Sequence, residues 1–172
     1  MKRFFDLIMS VFALMIFLVP GVLVALAVWL TSKGPVIYWS DRVGQYNKIF
    51  KMPKFRTMKV NTPAVATHLI LNAEHHLTPL GSFLRKSSLD ELPQLWCIMK
   101  GEMSFVGPRP ALFNQDDLIK LRTEKGIDKL VPGLTGWAQV NGRDELPIPL
   151  KVDLDLEYME RQSHGLDLYI LW

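Results

Sequence analysis

The sequence predicts a mainly helical α+β fold in two parts: an N-terminal re-entrant membrane helix-hairpin at residues 1–32 and a compact domain at residues 33–172. Three observations predict it. An uncharged, apolar segment runs from Leu7 to Ser32. Two short β-prone segments, Pro35–Trp39 and Ile49–Phe55, flank the turn-like "GQYNK" and indicate a small β-hairpin element. Further along, apolar residues recur at helical spacing, which predicts amphipathic surface helices.

The apolar segment permits three arrangements. Its 26 uncharged residues would form a helix about 39 Å long, which is enough for a tilted membrane span. The basic start at Lys2 and the "ALA" at Ala25–Ala27 resemble a secretory signal. A re-entrant hairpin kinked at Pro20 is favoured, because proline interrupts the segment and both flanks are basic. Basic residues stay on the cytoplasmic side, so residues 33–172 are predicted to be cytoplasmic.

The elements of the second part follow from local signals. Pro53 predicts that the second strand of the hairpin lies at a sheet edge. A short helix is predicted within Thr78–Ser88, and another within Leu92–Gly101, where Gly101 ends it. Helical patterns return at residues 114–125 and 150–161. The stretches "VGPRP" and "VPGLTGWAQVNGR" are rich in glycine or proline and are predicted to be loops.

Charge is unevenly distributed along the chain. The net charge is only +3, but residues 33–59 contain seven basic residues and one acid, Asp41. This pattern is typical of a solvated face, or of a site for phosphate groups or anionic lipid. Nucleic acid is not a predicted partner, because no recognised binding motif accompanies the charge. The single cysteine, Cys97 in "LWCIM", excludes an intrachain disulfide and is predicted to be a packed core thiol.

The stretch "SSLDELPQLW" contains adjacent carboxylates, Asp90 and Glu91. Ser88 and Glu91 have capping-box spacing, which favours a plain helix start. With Ser88 as N-cap, however, Pro93 would be the fifth helical residue and would lose a helix hydrogen bond. With Asp90 as N-cap, Pro93 falls where the N–H has no partner to lose. The sequence therefore predicts that Asp90 begins the helix.

A carboxylate pair at a helix start also suits catalysis. The helix dipole keeps such a carboxylate ionised, and neighbouring helical residues point about 100° apart. One carboxylate is then a candidate nucleophile, and the other a group that handles a proton or a metal ion. An anionic nucleophile attacking a phosphate needs charge neutralisation, for which Arg85, Arg109 and Mg²⁺ are the candidates.

The chain resembles the monotopic phosphoglycosyl transferases, the bacterial sugar transferase family. The likeness covers nearly the whole chain. It begins at "KRFFD" and continues through "GPVIYWSDRVGQYNKIFKMPKFRTM" and "TPLGSFLRKSSLDELPQLWCIMKGEMSFVGPRP". It ends with "PGLTGWAQVNGR" and "LDLYIL". Each motif alone is weak, but their order along the chain is highly specific.

This resemblance implies an activity and a location. It implies transfer of a phosphosugar from a UDP-sugar to polyprenol (undecaprenyl) phosphate, with Mg²⁺, on the cytoplasmic face of the bacterial inner membrane. It further implies a covalent phosphosugar intermediate on Asp90, with Glu91 beside it and Asp90 as the candidate Mg²⁺ ligand. Four basic residues match family positions implied to contact phosphate: Arg109, Arg85, Lys54 and Arg56.

The chain departs from the family pattern at three places. Val131 stands where relatives usually carry a basic residue before Pro-Gly. Residues 61–77 match poorly, and a further C-terminal segment is expected after Trp172.

Two other classes of protein also fit part of the pattern: a membrane-anchored module that binds lipid or polyanions without catalysis, and a secreted domain behind a cleaved signal.

Overall fold

The computed structural model describes residues 2–63, 73–142 and 146–172. Helix α1 spans Lys2–Thr31 and is 30 residues long, so it measures about 45 Å. Among the described residues it is the one helix long and apolar enough to cross a membrane. Pro20 lies inside this helix, and the helical backbone continues through it. The structure therefore shows a single helix and does not show the predicted return of a hairpin.

The β-hairpin prediction is confirmed. Strands β1 (Ile37–Val43) and β2 (Ile49–Phe55) pair antiparallel, with Ile37 opposite Phe55 and Val43 opposite Ile49. A short strand β4 (Ala111–Leu112) pairs with the other side of β1, which gives the order β2-β1-β4 in the described part of the chain. Strand β2 is therefore an edge strand, as Pro53 predicted.

Short helices account for most of the remaining chain. Helix α3 (Leu95–Lys100) is followed by Gly101, whose φ of +88° supplies the left-handed C-cap that the sequence predicts. Cys97 on this helix is fully buried, as expected of a core thiol. The last helix, over the apolar C-terminal stretch, was not predicted. The helices after α1 are α2 (Gly81–Lys86), α3 (Leu95–Lys100), α4 (Asp116–Glu124), α5 (Trp137–Val140), α6 (Ile148–Arg161) and α7 (His164–Leu171).

A second pairing, which is parallel, was not predicted, and its strand β5 lies in a stretch predicted to be a loop. Strands β3 (Ser104–Val106) and β5 (Gly133–Thr135) pair in register, Ser104 with Gly133 and Val106 with Thr135. The backbone of Gly133, at the start of β5, packs closely against that of Gly107, just after β3. A Cβ on Gly133 would lie 2.1 Å from the amide nitrogen of Gly107. Only glycine fits at such an approach. The "VGPRP" and "PGLTG" loops are thereby held backbone to backbone.

The first end of α1 is anchored in the core by polar contacts. The Asp6 carboxylate is buried and accepts hydrogen bonds from Ser104 Oγ at 3.0 Å and from the Phe105 amide at 3.2 Å. This carboxylate occupies the free edge of β3, where another strand would otherwise pair. Lys2 Nζ forms an ion pair with Asp167 of α7 at 2.5 Å. The helix start is therefore tied to both β3 and α7.

The other end of α1 is anchored by packing and by one arginine. Val24 and Val28 are buried against Phe55 and Leu84. Arg56, itself buried, donates to the Lys33 carbonyl at 2.5 Å and to the carbonyl and hydroxyl of Ser32 at 3.1 and 2.8 Å. Both ends of α1 thus contact the same globular part.

The opposite face of α1 is a continuous apolar stripe. Its residues recur three or four apart and are about half to three-quarters exposed, the pattern of a helix that lies on a surface with one face outward. A contiguous stripe of this length marks a membrane or protein contact. It includes Phe4, Ile8, Val11, Phe12, Met15, Val19, Val22, Leu26, Trp29 and Leu30.

The first testable prediction concerns the Asp6 anchor. Asp6→Leu leaves the Ser104 hydroxyl and the Phe105 amide buried without an acceptor, which costs about 1–3 kcal/mol of unfolding free energy. Asp6→Asn retains an acceptor oxygen and should lose less. Ile8→Ala, on the exposed face, should stay within about 0.5 kcal/mol of the wild type. Denaturation in detergent micelles measures all three, and wild-type stability of Asp6→Leu would contradict the anchor.

Candidate active site

The adjacent carboxylates lie in a 3-10 turn, Leu89–Gln94, that leads directly into α3. The prediction that Asp90 is the N-cap was wrong. Ser88 is the N-cap, with a left-handed φ of 56° and no side-chain capping bond, so the capping-box alternative fails as well. Pro93 is accommodated because the backbone tightens into a 3-10 turn before the α-helix begins.

Glu91 is the centre of the site's charge network. Its Oε1 accepts from Lys54 Nζ at 2.7 Å and from Arg109 Nη2 at 2.8 Å. Burial raises the pKa of Glu91, but the charges of Arg109 and Lys54 outweigh it and lower that pKa from 4.5 to about 2. Glu91 is therefore ionised throughout the physiological pH range and has little capacity to accept a proton.

Asp90 has a different environment. It is 6% exposed, and this burial raises its pKa, while Lys54 and Arg85 act in the opposite direction. The sequence argument that a helix dipole keeps this carboxylate ionised therefore misses the dominant effect, which is desolvation. Two adjacent carboxylates with pKa values displaced in opposite directions are a pattern of functional sites. Of the two carboxyl groups, Asp90 therefore has the higher pKa.

Three of the four predicted phosphate contacts lie around the carboxylates. Lys54 and Arg109 bind Glu91 directly. Arg85 lies close enough to Asp90 for its charge to affect the pKa of that carboxyl, and its Nε donates to Thr57 Oγ1 at 3.0 Å. Arg56 is placed differently, because its guanidinium binds the chain just after α1. As a phosphate contact, Arg56 stays a prediction.

A cavity of about 950 Å³ opens beside the carboxylates. Ala13 and Phe17 of α1 line it together with Asp90, so the apolar helix and the carboxylate share one space. The segment that contains β5 and α5 contributes Leu134 and Gln139 to the wall. Asp90 and Glu91 are the acidic residues of the described lining. The basic ones are Arg42, Lys54, Arg56, Lys59, Arg85, Arg109, Arg122 and Lys151.

The donor set bears on the predicted metal ion. Among the described residues, no three His, Cys, Asp or Glu side chains are grouped so that they could hold a metal. Oε1 of Glu91 already accepts from two cations, so Asp90 is the less neutralised of the two carboxylates. Mg²⁺ in phosphate enzymes is commonly held by one or two carboxylates together with substrate phosphates. The residues fit a Mg²⁺ shared with a phosphate ligand, and they do not form an all-protein cage.

Sequence reasoning missed a second pair of charges at the site. Arg122 on α4 and Asp155 on α6 form a buried ion pair at 2.6 Å. A signal for it was available in the pattern of α6. Asp155 lies three residues from both Val152 and Tyr158, so it occupies the buried face of the amphipathic helix. A carboxylate in that position requires a buried partner. Residues 64–72 of the poorly matching stretch, and residue 143 at the end of "VPGLTGWAQVNGR", lie outside the described residues.

Comparison with known proteins identifies the family. The family model described as bacterial sugar transferase matches residues 1–172. The chain is 40% identical to the sugar transferase EpsL of Bacillus subtilis (strain 168), covering 99% of this chain and 83% of EpsL. It is 39% identical to the UDP-glucose:undecaprenyl-phosphate glucose-1-phosphate transferase of Escherichia coli (strain K12), covering 100% of this chain. It is 33% identical to the undecaprenyl-phosphate galactose phosphotransferase of Salmonella typhimurium.

The coverage differs among these relatives. The chain spans most of EpsL but only 39% of the length of the two named phosphotransferases, so it corresponds to one part of those longer proteins. The matched part includes the carboxylate pair, the basic residues around it and the apolar helix. From the full-length family match and the similarity to EpsL, the chain belongs to the bacterial sugar transferase family.

Proposed function

We propose that the protein transfers a phosphosugar from a UDP-sugar to polyprenol (undecaprenyl) phosphate through a covalent intermediate on Asp90. An Asp90 oxygen attacks the sugar-bearing phosphorus, the bond to the UMP oxygen breaks, and UMP leaves with that electron pair. An oxygen of polyprenol phosphate then attacks the same phosphorus and displaces the Asp90 carboxylate. The observation that carries the proposal is a buried carboxylate of raised pKa in a cation-lined cavity shared with an apolar helix.

The basic residues have distinct roles in this proposal. Lys54 and Arg109, both held on Glu91, neutralise the phosphates of the donor. Arg85, beside Asp90, stabilises the ionised form of the nucleophile. Glu91 orients the two cations rather than accepting a proton, because its pKa is far below neutrality. In this proposal, Asp90 is therefore the nucleophile and Glu91 orients the two cations.

Magnesium completes the proposed site. Asp90 and the donor's phosphate oxygens would hold the ion, which is the ligand pattern that Mg²⁺ prefers. Bound there, it supplies charge shielding to the transferred phosphoryl group. The protein's own cations already provide part of that shielding, since the basic residues outnumber the acidic ones in the described lining.

The names of the relatives support this substrate class. The Escherichia coli relative is named for glucose and undecaprenyl phosphate, and the Salmonella relative for galactose and undecaprenyl phosphate. Both names describe transfer to the same lipid carrier, whereas the sugar differs. We therefore propose undecaprenyl phosphate as the acceptor and a UDP-hexose as the donor.

We further propose that residues 1–32 form a re-entrant element and that residues 33–172 lie on the cytoplasmic face of the bacterial inner membrane. Both ends of α1 contact one globular part, an arrangement that a helix crossing the bilayer cannot adopt. Pro20 removes the hydrogen bond that would reach the Ile16 carbonyl, which weakens the helix near its middle. The apolar stripe then faces lipid acyl chains, and Ala13 and Phe17 adjoin the catalytic cavity.

The covalent step predicts an adduct. Incubation with a UDP-sugar and Mg²⁺ but without acceptor should add one phosphosugar mass to the wild type by intact-protein mass spectrometry. Asp90→Asn keeps the shape of the side chain but is a far poorer nucleophile, so it should gain no mass and lose UMP release. UDP-glucose and UDP-galactose are the first donors to test.

The outcomes separate three mechanisms. Normal turnover by Asp90→Asn would contradict the proposed nucleophile. Loss of activity in that variant, with no adduct on a wild type that releases UMP, would favour direct transfer with Asp90 as a metal ligand. Absence of UMP release from every UDP-sugar tested would favour the alternative of a membrane-anchored module that binds lipid or polyanions.

The membrane arrangement predicts the accessibility of both helix ends. In a Cys97→Ala background, a cysteine inserted after Met1 and Lys33→Cys should both resist a membrane-impermeant thiol reagent in intact cells. Both should react after permeabilisation, which is the control for reactivity. Pro20→Leu should strengthen the helix and expose one end in a fraction of the molecules. Labelling of only one end in the protein that retains Pro20 would establish a single span.

The pKa of Glu91 predicts how its ion pairs depend on pH. A carboxylate whose pKa is lowered on folding stabilises the protein above its unfolded pKa, near 4.5, and this contribution is lost as the pH falls toward 2. The stability difference between wild type and Glu91→Gln should thus shrink as the pH falls below about 5. Chemical denaturation in detergent from about pH 7 downward measures it. A difference that stays constant as the pH falls from about 5 to 2 would contradict a lowered pKa of Glu91.

A further inference from the structure

The backbone carbonyl of Arg109 is held by a side chain from a distant helix. Arg122 Nη1 donates to that carbonyl at 2.8 Å. The same guanidinium donates through Nε and Nη2 to Asp155 Oδ2, at 2.9 and 2.6 Å. One arginine therefore connects a carboxylate on α6 to the backbone of the residue whose side chain binds Glu91.

The contact is made at a residue whose ψ torsion is already restricted, because Pro110 holds the preceding residue, Arg109, in extended backbone conformations. Pro108 and Pro110 have fixed φ angles and no N–H group, so they offer no donors with which to hold the loop. The ψ torsion of Arg109 sets where its carbonyl points relative to its side chain. A hydrogen bond to that carbonyl therefore also determines the direction in which the Arg109 guanidinium leaves the loop.

The next carbonyl along the loop is held in the same way. Arg42 on β1 donates through Nη1 to the Pro110 carbonyl at 3.1 Å. On the other side of Arg109, the Pro108 carbonyl accepts from the Gly133 amide at 2.9 Å. Three successive carbonyls of the Pro-Arg-Pro motif are thus each bonded to a different part of the fold. Of these contacts, that of Arg122 is made at Arg109 itself.

The burial of the ion pair argues that stability is not its main role. Arg122 is 8% exposed and Asp155 is 1% exposed. Removing two charges from water is unfavourable, and apolar pairs often replace a buried ion pair without loss of stability. An apolar pair at these positions could not donate a hydrogen bond to the Arg109 carbonyl. The charged pair retains that donor and keeps its direction fixed.

We propose that Arg122, oriented by Asp155, is a positioning residue that aims Arg109 at the donor's phosphate groups. The inference rests on the proposed phosphosugar transfer, in which Arg109 contacts those groups. Arg122 acts through Arg109, so its substitution should matter only while Arg109 is present to be aimed. A displacement of a catalytic group by about 1 Å costs up to about 100-fold in rate.

A matched control lies on the same two helices. Lys125 on α4 and Asp153 on α6 form an exposed ion pair at 2.6 Å that also joins α4 to α6. Neither residue belongs to the cavity lining in the described part of the chain. Lys125→Met therefore removes an ion pair between α4 and α6 without touching the Pro-Arg-Pro loop. We expect its turnover to stay at the wild-type level.

The test is a double-mutant cycle with kcat/KM for UMP release as the readout, in detergent with undecaprenyl phosphate and the better of UDP-glucose and UDP-galactose. Arg122→Lys keeps a charge opposite Asp155 but lacks the fork that reaches both partners. It should lower kcat/KM by about 10- to 100-fold when Arg109 is present. In the Arg109→Lys background, the same change should alter kcat/KM by less than about twofold. Rates are normalised to the folded fraction of each variant.

Each outcome decides the proposal. Equal fold losses in both backgrounds would reduce Arg122 to a structural role, and wild-type turnover by folded Arg122→Lys would overturn the proposal as well. If Arg122→Lys does not fold, the cycle is repeated with Asp155→Asn, for which the same dependence on Arg109 is expected. A wild type that releases UMP while the cycle is additive contradicts only the positioning role. A wild type that releases no UMP contradicts the proposed function itself.

Discussion

The two ion pairs of Glu91 are the contacts on which the arrangement of the site depends. Lys54 comes from an edge strand, Glu91 from a 3-10 turn and Arg109 from a loop between two short strands. These segments are distant in sequence, and one carboxylate oxygen brings their charges together. The resulting cluster holds two cations beside a second carboxylate, Asp90, whose pKa is raised by burial and lowered by the charge of Lys54. The proposed nucleophile therefore lies next to the cations that would neutralise a bound phosphate.

The apolar helix is attached to the same elements that carry the site. Its first end contacts β3, which leads into the Pro-Arg-Pro loop, and its last turn packs against Phe55 at the end of β2, next to Lys54. Arg56 continues that strand and binds the residues just after the helix. The depth of the helix in a membrane therefore determines the height of the carboxylates above it. A lipid-linked phosphate at the membrane surface and a water-soluble nucleotide sugar can meet in such a cavity.

Local sequence signals predicted several secondary-structure elements correctly. They could not predict contacts between segments that are distant in the sequence. The hairpin, the edge position of Pro53 and the glycine cap of α3 each depend on a few neighbouring residues, and each is confirmed. The family resemblance singled out Asp90 and Glu91, but not that desolvation would raise the pKa of one while cations lower that of the other. Those effects depend on residues from β2 and the Pro-Arg-Pro loop. The motif predicted that Arg56 contacts phosphate. Its hydrogen bonds to residues 32 and 33 could not be predicted, because no local sequence pattern indicates them.

The long-range anchors of α1 have a consequence for synthesis of the protein on the ribosome. Lys2 is separated by 165 residues from its partner Asp167, and Asp6 by 98 residues from Ser104. At ordinary elongation rates the helix is made on the order of 10 s before α7 exists. During that interval the nascent chain exposes an apolar helix whose flanking charges are unpaired. We therefore expect the helix to bind the lipid bilayer, the available apolar phase, before the globular part closes around the helix ends.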